Sequence, residues 1–164
     1  MPRKAEEKKV YYLPALKHNI KAINIINDQC HMEQFQPEFI TKVSESFPEY
    51  TKLIVYDNLA VAYIYCSLEN YEGKEVKALP VGKKNLFDIQ LHIKQIAVLP
   101  TYQRYNIASI ALNHIIEESK KCHLVKRAVT EFKVDDNVSR SFFEHNKFDC
   151  SSSSENTCHG VLNY

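Results

Sequence analysis

Backbone amides that suit a diphosphate are predicted between Ile89 and Ala111. An alternating apolar strand runs there through Val98 into a short polar segment and then directly into an amphipathic helix. A tight strand-to-helix turn presents several backbone N–H groups at the positive end of the helix dipole, where a diphosphate accepts their hydrogen bonds without a dedicated cation. The residues of this predicted turn, which we name the cradle, are Gln103, Arg104, Tyr105, Asn106, Ile107 and Ala108.

The strand that enters the cradle has the clearest pattern in the chain. Apolar residues take most odd positions from Phe87 to Leu99, and the even positions hold Asp88, Gln90, His92 and Lys94. Because successive side chains of a strand point to opposite faces, His92 and Lys94 are predicted to share a face. The following helix has a broad apolar side, which is typical of a helix lying on a sheet.

The elements before this strand are predicted from periodicity and turn residues. A first strand covers Val10 to Leu13 and ends at Pro14, and a helix follows from His18 to Asn27. A second helix begins near Pro37 and stops at Phe47-Pro48. Two antiparallel strands, Lys52 to Tyr56 and Leu59 to Leu68, are joined by the two-residue turn Asp57-Asn58.

The remaining segments alternate between loops, strands and one helix. Glu69 to Leu86 is predicted to be a long exposed loop. A strand from Arg127 to Val134 precedes a helix that Asp135 or Asp136 caps and that runs to His145. A short strand begins at Lys147 to Cys150, the serines at 151–154 break the pattern, and Val161 to Tyr164 forms a last strand.

Length and charge limit the class of protein. With 164 residues, 45% hydrophobic content and a formal net charge of +1, residues 1–164 are expected to form one domain that binds neither nucleic acid nor an anionic membrane by charge. The five cysteines lie far apart without a CxxC pair, which argues against disulfides and zinc. Residues 1–9 are expected to be flexible, and no apolar run approaches the roughly 20 residues of a bilayer span. These features favour a cytoplasmic, and also a nuclear, location.

The element order and the cradle resemble the GCN5-related N-acetyltransferase (GNAT) superfamily. Its loop motif is Gln or Arg, two residues, Gly, one residue, then Gly or Ala; Gln103 and Ala108 match, and Asn106 stands at the first glycine. Asparagine is the least costly replacement because it tolerates the left-handed region. The resemblance implies an α/β fold with a central mixed, mostly antiparallel twisted sheet, helices on both faces, and a splayed strand pair that holds acetyl-CoA.

The resemblance also implies coenzyme contacts, with acetyl-CoA as cosubstrate and no metal. The cradle amides would bind the pyrophosphate, and the preceding strand the pantetheine arm. The start and body of the last helix would touch pantetheine and adenosine, although ordinary N-capping and core packing also explain those residues. The implied contacts are Ile96, Ala97, Val98, Gln103, Arg104, Tyr105, Asn106, Ile107, Ala108, Ser109, Asp136, Asn137, Ser139 and Phe143.

Short strings give a closer likeness within the superfamily. His18-Asn19-Ile20-Lys21, the segment 98–104 and Leu112-Asn113-His114-Ile115 are similar to the N-alpha-acetyltransferase 50 family, the NatE catalytic subunits. That family acetylates the α-amino group of protein N-termini and associates with the ribosome-bound NatA complex. The likeness therefore implies a peptide or protein N-terminus as substrate, with a NatA-type auxiliary subunit and the ribosome as further partners.

Several positions depart from that family. His92 stands where the family has a catalytic tyrosine, and Glu131 where it has a catalytic histidine, so His92 as base with Glu131 as partner is the catalytic prediction. Phe143 replaces a tyrosine that donates a proton, which leaves water, Tyr102 or Tyr105 as the acid. The predicted peptide wall consists of His31, Met32, Phe35 and Lys94.

These departures leave more than one function open. The first is an active Nα-acetyltransferase, in which positioning of an activated thioester supplies much of the rate. The second is a catalytically impaired subunit that keeps the fold to bind an auxiliary protein or the ribosome. A third is acetylation of a small amine or a lysine side chain, which shares the mechanism of the first and differs in the pocket.

Overall fold

The computed structural model describes residues 9–46, 48–79 and 88–164 of the chain. Within these ranges the main strands are β1 Val10–Pro14, β2 Lys52–Tyr56, β3 Leu59–Asn70, β4 Ile89–Val98, β5 Val125–Lys133, β6 Asp149–Ser152 and β7 Thr157–Asn163. The α-helices are α1 Ile20–Gln29, α2 Pro37–Ser46, α3 Ile107–Lys120 and α4 Asn137–His145. Short 3₁₀ helices cover Lys17–Asn19, Pro48–Tyr50 and Pro100–Tyr105.

The seven strands form one mixed sheet in the order β1-β2-β3-β4-β5-β7-β6. Strands β1 and β2, β2 and β3, β5 and β7, and β6 and β7 pair antiparallel, whereas β4 and β5 pair parallel. This architecture confirms the predicted α/β fold with a mostly antiparallel mixed sheet. The parallel pairing runs from Ile89 with Val125 to Ile93 with Thr130, and the Thr130 hydroxyl donates to the Ile93 carbonyl at 3.1 Å. The splaying of this strand pair stays a prediction.

The turn between β2 and β3 shows why the hairpin was predictable. Asp57 and Asn58 both have positive φ, at 50° and 65°. Two consecutive left-handed residues define the type I′ turn, whose twist matches that of the flanking strands. Aspartate and asparagine tolerate this region because their short polar side chains bond locally. The predicted two-residue hairpin is therefore confirmed.

The chain divides into two compact units. Of the described residues, the first unit takes those up to Tyr65 together with Gln95–Glu118, and the second takes those from Cys66 to Lys94 together with Ser119–Tyr164. The core of the first unit consists of Ala15, Ile23, Ile26, Ile40, Leu53, Tyr63 and Ala97. Buried apolar residues of the second unit include Leu68, Ile89, Leu91, Ile93, Ala128, Val129, Phe143 and Phe148. That residues 1–164 form one domain stays a prediction.

Some predicted boundaries are wrong. The predicted loop from Glu69 begins too early, because β3 continues to Asn70 and Glu69 is buried. Ser151 and Ser152 belong to β6, and β7 begins at Thr157, four residues before the predicted Val161. Polar residues have low strand propensity, so propensity alone ends these strands too soon. The predictions for residues 1–8, Phe47, 80–86 and Phe87 lie outside the described residues.

The cysteines, the helices and the side chains able to bind metal relate to the expectations on disulfides, membrane spans and zinc. Cys30, Cys66, Cys122, Cys150 and Cys158 are all free thiols. Over the ranges that the structure describes, none of the helices combines the length and the apolar character needed to cross a bilayer. In the same ranges, no group of three or more His, Cys, Asp or Glu side chains is arranged to hold a metal ion.

Candidate active site

The cradle adopts the conformation that its sequence predicts. The 3₁₀ helix Pro100–Tyr105 ends at Asn106, which lies in the left-handed region with φ 61° and ψ 20°. α3 begins at the next residue, and its first bond runs from the Ile110 N–H to the Asn106 carbonyl at 3.1 Å. Asn106 therefore changes the direction of the backbone between the 3₁₀ helix and α3. Asn106 takes the place of glycine without loss of this geometry.

Hydrogen bonds hold the end of β4 against the cradle. The Val98 carbonyl accepts from the Gln103 side-chain amide at 3.2 Å and from the Cys30 thiol at 3.2 Å. The Leu99 N–H donates to the Val61 carbonyl at 2.8 Å, and the Tyr102 N–H to the Leu99 carbonyl at 2.8 Å. The side chain of Gln103 thus links the cradle to the end of β4 by a hydrogen bond.

Three tyrosines pack beside the cradle. The rings of Tyr102 and Tyr105 lie 5.4 Å apart, and both contact Tyr56 at 6.2 and 5.9 Å. Such tilted and edge-on pairs stabilise a turn beyond the area that they bury. Their packing supports the backbone of the cradle, and a role for either hydroxyl as a proton donor stays a prediction.

The electrostatics of the cradle favour an anion. The N–H groups in the first turn of an α-helix have no carbonyl within the helix to which they can donate, and the helix dipole is positive at this end. Ile107 is buried, which fixes the start of α3 in the first unit, and Ala108 adds only a methyl group near these amides. Arg104 and Asn106 are exposed. The arrangement suits a phosphate or diphosphate that approaches the N-terminus of α3.

Charged and polar side chains gather on the parts of β3 and β4 that belong to the second unit, in a group that we name the Glu69 cluster (Ser67, Glu69, His92 and Lys94). The His92 Nδ1 atom lies 2.9 Å from both Glu69 oxygens. Glu69 Oε1 lies 3.3 Å from the Lys94 Nζ atom and accepts from the Ser67 hydroxyl at 3.2 Å. The side chains of Glu69, His92 and Lys94 are 7%, 17% and 33% exposed. His92 and Lys94 share a face, as their spacing predicts.

Glu69 is an ionised carboxylate at neutral pH. Burial raises its pKa, but the hydrogen bond and positive charge of His92, together with those of Lys94, outweigh burial and hold the pKa below its ordinary value. A buried carboxylate is stable only when such partners satisfy it. The cluster therefore presents an imidazole that is fixed by a negative charge, on the strand that leads into the cradle.

The carboxylate that contacts His92 is Glu69, and the predicted catalytic role of Glu131 as the partner of His92 stays a prediction. The parallel register places Val129 opposite His92, and Glu131 lies two residues further along β5. The Glu131 side chain is 55% exposed, and its Oε1 atom lies 3.7 Å from Nδ1 of His159 on β7. The sequence does not reveal this role of Glu69, because a polar residue after an apolar strand predicts the start of a loop.

The predicted peptide wall lies in the first unit, apart from Lys94. Phe35 contacts the rings of Phe39 at 4.5 Å and Tyr63 at 5.8 Å. Its backbone N–H donates to the Asn24 side-chain oxygen at 2.8 Å. Met32 is half-buried and its sulfur accepts from the Gln95 amide at 3.7 Å. Phe35 and Met32 therefore form a fixed apolar surface.

His31 and Lys94 differ from the other two residues of the predicted wall. His31 is exposed and has a positive φ of 56°. The Lys94 ammonium is bound to Glu69. The positive charge of Lys94 is therefore offset by a neighbouring carboxylate.

A buried polar pair that the sequence did not reveal lies in the core of the first unit. The Tyr63 hydroxyl donates to the Asn27 side-chain oxygen, and both residues are almost fully buried. Burial, with the Cys30 thiol nearby, raises the pKa of Tyr63 although the Asn27 and Gln95 hydrogen bonds oppose this. Tyr63 is therefore a neutral hydroxyl that positions α1 against β3.

The predicted contacts on α4 have clear structural roles. Asp136 is the N-cap and accepts from the Ser139 N–H at 3.0 Å and from the Ser139 hydroxyl at 2.6 Å, which lowers the pKa of Asp136. Asn137 starts the helix and is exposed. Phe143 is buried against Phe132 and Phe148, at 5.8 and 5.2 Å. Their contacts with a coenzyme stay predictions.

Residues 20–148 match the model of the Acetyltransferase (GNAT) family, so the chain belongs to that family. The family uses acetyl-CoA as its acetyl donor, and the strand, left-handed turn and helix described above suit the diphosphate of that donor. No curated protein sequence matches the chain.

Solved structures share the fold at low sequence identity. Arabidopsis thaliana Naa50, in complex with the bisubstrate analogue CoA-Ac-MVNAL, is 17% identical with a TM-score of 0.73, over 95% of this chain and 99% of that one. Arabidopsis thaliana NAA60, in complex with acetyl-CoA, is 11% identical with a TM-score of 0.75, over 94% and 99%. Ard1 from Thermoplasma volcanium is 12% identical with a TM-score of 0.71, over 94% and 97%.

Proposed function

We propose that this chain acetylates the α-amino group of protein N-termini with acetyl-CoA. The observation that carries the proposal is the position of His92. It lies on β4, the strand that leads into the cradle, and its imidazole is held by the buried carboxylate of Glu69 on β3. Similarity to Naa50, whose bisubstrate analogue joins coenzyme A to a short peptide through an acetyl group, supports this substrate class. The short strings shared with the N-alpha-acetyltransferase 50 family favour the same assignment.

The first unit binds the acetyl donor in this proposal. The cradle amides from Arg104 to Ala108 donate hydrogen bonds to the diphosphate, and the backbone of Ile96, Ala97 and Val98 follows the pantetheine arm. When bound, acetyl-CoA supplies a thioester that is already activated towards amines. Because the donor is activated, correct positioning of the amine supplies much of the rate. Backbone N–H groups near Val98 stabilise the charge that develops on the carbonyl oxygen.

His92 removes the proton that makes the substrate amine unreactive. A protein α-amino group has a pKa of about 7.7 to 8.0, so a base that works near neutral pH is sufficient. The deprotonated nitrogen attacks the thioester carbonyl, a C–N bond forms and the C–S bond breaks. The leaving thiolate takes a proton from water, Tyr102 or Tyr105, because Phe143 has none to give. The nitrogen loses its second proton to the hydroxide or tyrosinate formed in that step, and the His92 imidazolium returns its proton to solvent. The products are an N-acetylated peptide and free coenzyme A.

A second candidate is a subunit without catalytic activity. Phe143 packs among core aromatics and lacks a hydroxyl, and Glu131 lies beside His159 rather than His92. In this case the fold would serve to bind a NatA-type auxiliary protein and the ribosome in the cytoplasm. Two neighbouring structures come from NatC and NatB complexes, which shows that proteins of this fold do assemble.

Calorimetry and turnover separate the candidates. We expect acetyl-CoA to bind the purified protein, and a library of N-terminal peptides to release coenzyme A thiol at a rate that falls about 10²- to 10⁴-fold in His92→Ala. The matched control is His123→Ala, which removes an exposed histidine of the same unit. Tight binding without turnover of any peptide would favour the subunit. Absence of binding would exclude both acetyl transfer and a coenzyme-bound subunit.

A further inference from the structure

We infer that Glu69 is a positioning residue of the proposed reaction, which fixes the tautomer of His92 and cancels the charge of Lys94. The inference rests on the proposed function for its kinetic consequences. Its structural basis is one buried carboxylate with three donors from two strands. Glu69 touches neither the donor nor the amine in this scheme and acts through the two side chains that flank it.

The tautomer follows from the chemistry of the partners. An ionised carboxylate has only acceptor sites, so the His92 Nδ1 atom that lies 2.9 Å from both Glu69 oxygens must carry a proton. Neutral imidazole has one N–H, and we assign it to Nδ1 on this hydrogen bond. The lone pair is then on Nε2. Glu69 thus leaves the opposite nitrogen of the ring ready to accept a proton.

The charges of the cluster change by one unit during the reaction. In the base form of His92 that accepts the proton, the imidazole carries no charge and the charges of Glu69 and Lys94 cancel. After transfer, the imidazolium lies on the same face as the Lys94 ammonium, and Glu69 lies between them within 3.3 Å of each. On β5, Val129 lies in register with His92 and Arg127 is bound to Gln90 and to the Tyr71 ring. Over the residues that the structure describes, the side-chain ion pairs of Glu69 are with His92 and Lys94, and Glu75 pairs with Glu69 through the backbone.

This arrangement explains how a lysine is tolerated beside a site for ammonium substrates. Like charges in contact weaken binding, whereas a paired lysine is largely neutral towards its surroundings. Without Glu69, the Lys94 cation would repel the protonated amine as it approaches. Glu69 therefore has two separable effects, one on the base and one on binding of the peptide.

Nuclear magnetic resonance of the imidazole nitrogens tests the tautomer without any assay of activity. We expect the Nδ1–H tautomer for neutral His92 in the wild-type protein and in Glu69→Asp, which keeps the charge. In Glu69→Gln the amide can also donate, so we expect a mixture with the Nε2–H tautomer. The matched control Glu72→Gln, which changes a glutamate whose side chain is 74% exposed, should keep the wild-type tautomer.

Kinetics separate the two effects. We expect Glu69→Gln to lower kcat about 100-fold, since the base is misoriented, and to raise the peptide KM about 3- to 10-fold. Adding Lys94→Met should restore the KM but not the kcat, because it removes the uncompensated cation alone. Glu69→Asp should recover part of the kcat.

The outcomes distinguish this inference from the proposed function. Unchanged nitrogen signals in Glu69→Gln would overturn the inference, whatever the activity. A wild-type Nε2–H tautomer would also overturn it. If the signals change as expected but the wild-type protein acetylates no peptide, the role of Glu69 towards His92 stands and the proposed function fails. If kcat and KM recover together on adding Lys94→Met, the two effects are not separate and the inference is wrong.

Discussion

The substitution Asn106→Val tests whether the left-handed turn forms the diphosphate site. Asn106 has φ 61° and ψ 20°, a conformation that costs an L-residue about 1 to 2 kcal/mol. Asparagine and glycine adopt it most easily, whereas a β-branched residue there is a genuine outlier. We therefore expect valine to add about 2 kcal/mol of strain to the folded cradle.

This strain must appear in one of two measured quantities. If the turn keeps its shape, the melting temperature falls by about 4 to 8 °C, at roughly 2 to 4 °C per kcal/mol for a chain of this size. If the turn relaxes, stability is retained and the affinity for coenzyme A falls about 25-fold, since about 1.4 kcal/mol is a factor of ten. The two losses should sum to about 2 kcal/mol.

Calorimetric titration with coenzyme A, together with thermal unfolding of the free protein, measures both quantities. The control Asn106→Gly keeps the left-handed conformation, so its affinity for coenzyme A should match that of the wild-type protein. Equal affinity and equal stability for the valine and glycine variants would refute the reasoning, because the turn would then carry neither strain nor ligand.

Three further substitutions test the packing and charges of the second unit by urea unfolding. Folding lowers the pKa of Glu69. The carboxylate therefore contributes its full stabilisation above its ordinary pKa of 4.5, and this stabilisation is lost as the pH falls through the lower pKa of the folded state. Glu69→Gln should flatten this dependence of stability on pH. In Gly160→Ala the new methyl group meets Thr130 Cγ2 at 2.9 Å, which should cost about 1 to 3 kcal/mol. Asp136→Ala removes the N-cap bond to Ser139 and should cost about 1 kcal/mol.

Controls make these three expectations specific. Asp136→Ser keeps an N-cap oxygen and should retain most of the stability. Thr130→Ser removes Cγ2 and should relieve part of the cost of Gly160→Ala. Equal stability of Gly160→Ala and the wild-type protein would contradict the close packing of β7 against β5. An unchanged pH dependence in Glu69→Gln would contradict an ionised, buried Glu69.

Local backbone chemistry accounts for the features that the sequence predicts well. The turn at Asp57-Asn58 and the left-handed Asn106 depend on the conformational range of single residues, which the residue type reveals. The common face of His92 and Lys94 follows from the two-residue period of a strand. The N-cap at Asp136 follows from a short acceptor just before an amphipathic segment.

Contacts between distant segments account for what the sequence does not predict. Glu69 and His92 are 23 residues apart, and their contact depends on the relation of two strands that no local pattern reveals. The resemblance gives Glu131 a catalytic position, whereas its contact with His159 on β7 is a feature that no local pattern reveals. A signal for Glu69 exists in the period of β3, since Tyr63, Tyr65, Ser67 and Glu69 share one face. This common face points to Glu69 only when β3 is known to continue as far as Asn70.

Mass spectrometry of one peptide tests the central claim most directly. The peptide carries a free N-terminal amine and an internal lysine, and it is incubated with the purified chain and acetyl-CoA. We expect a single added acetyl group on the α-amino nitrogen, formed about 10²- to 10⁴-fold more slowly when His92→Ala replaces the wild-type protein. Acetylation of the lysine alone, or none at all while coenzyme A is bound, would contradict it.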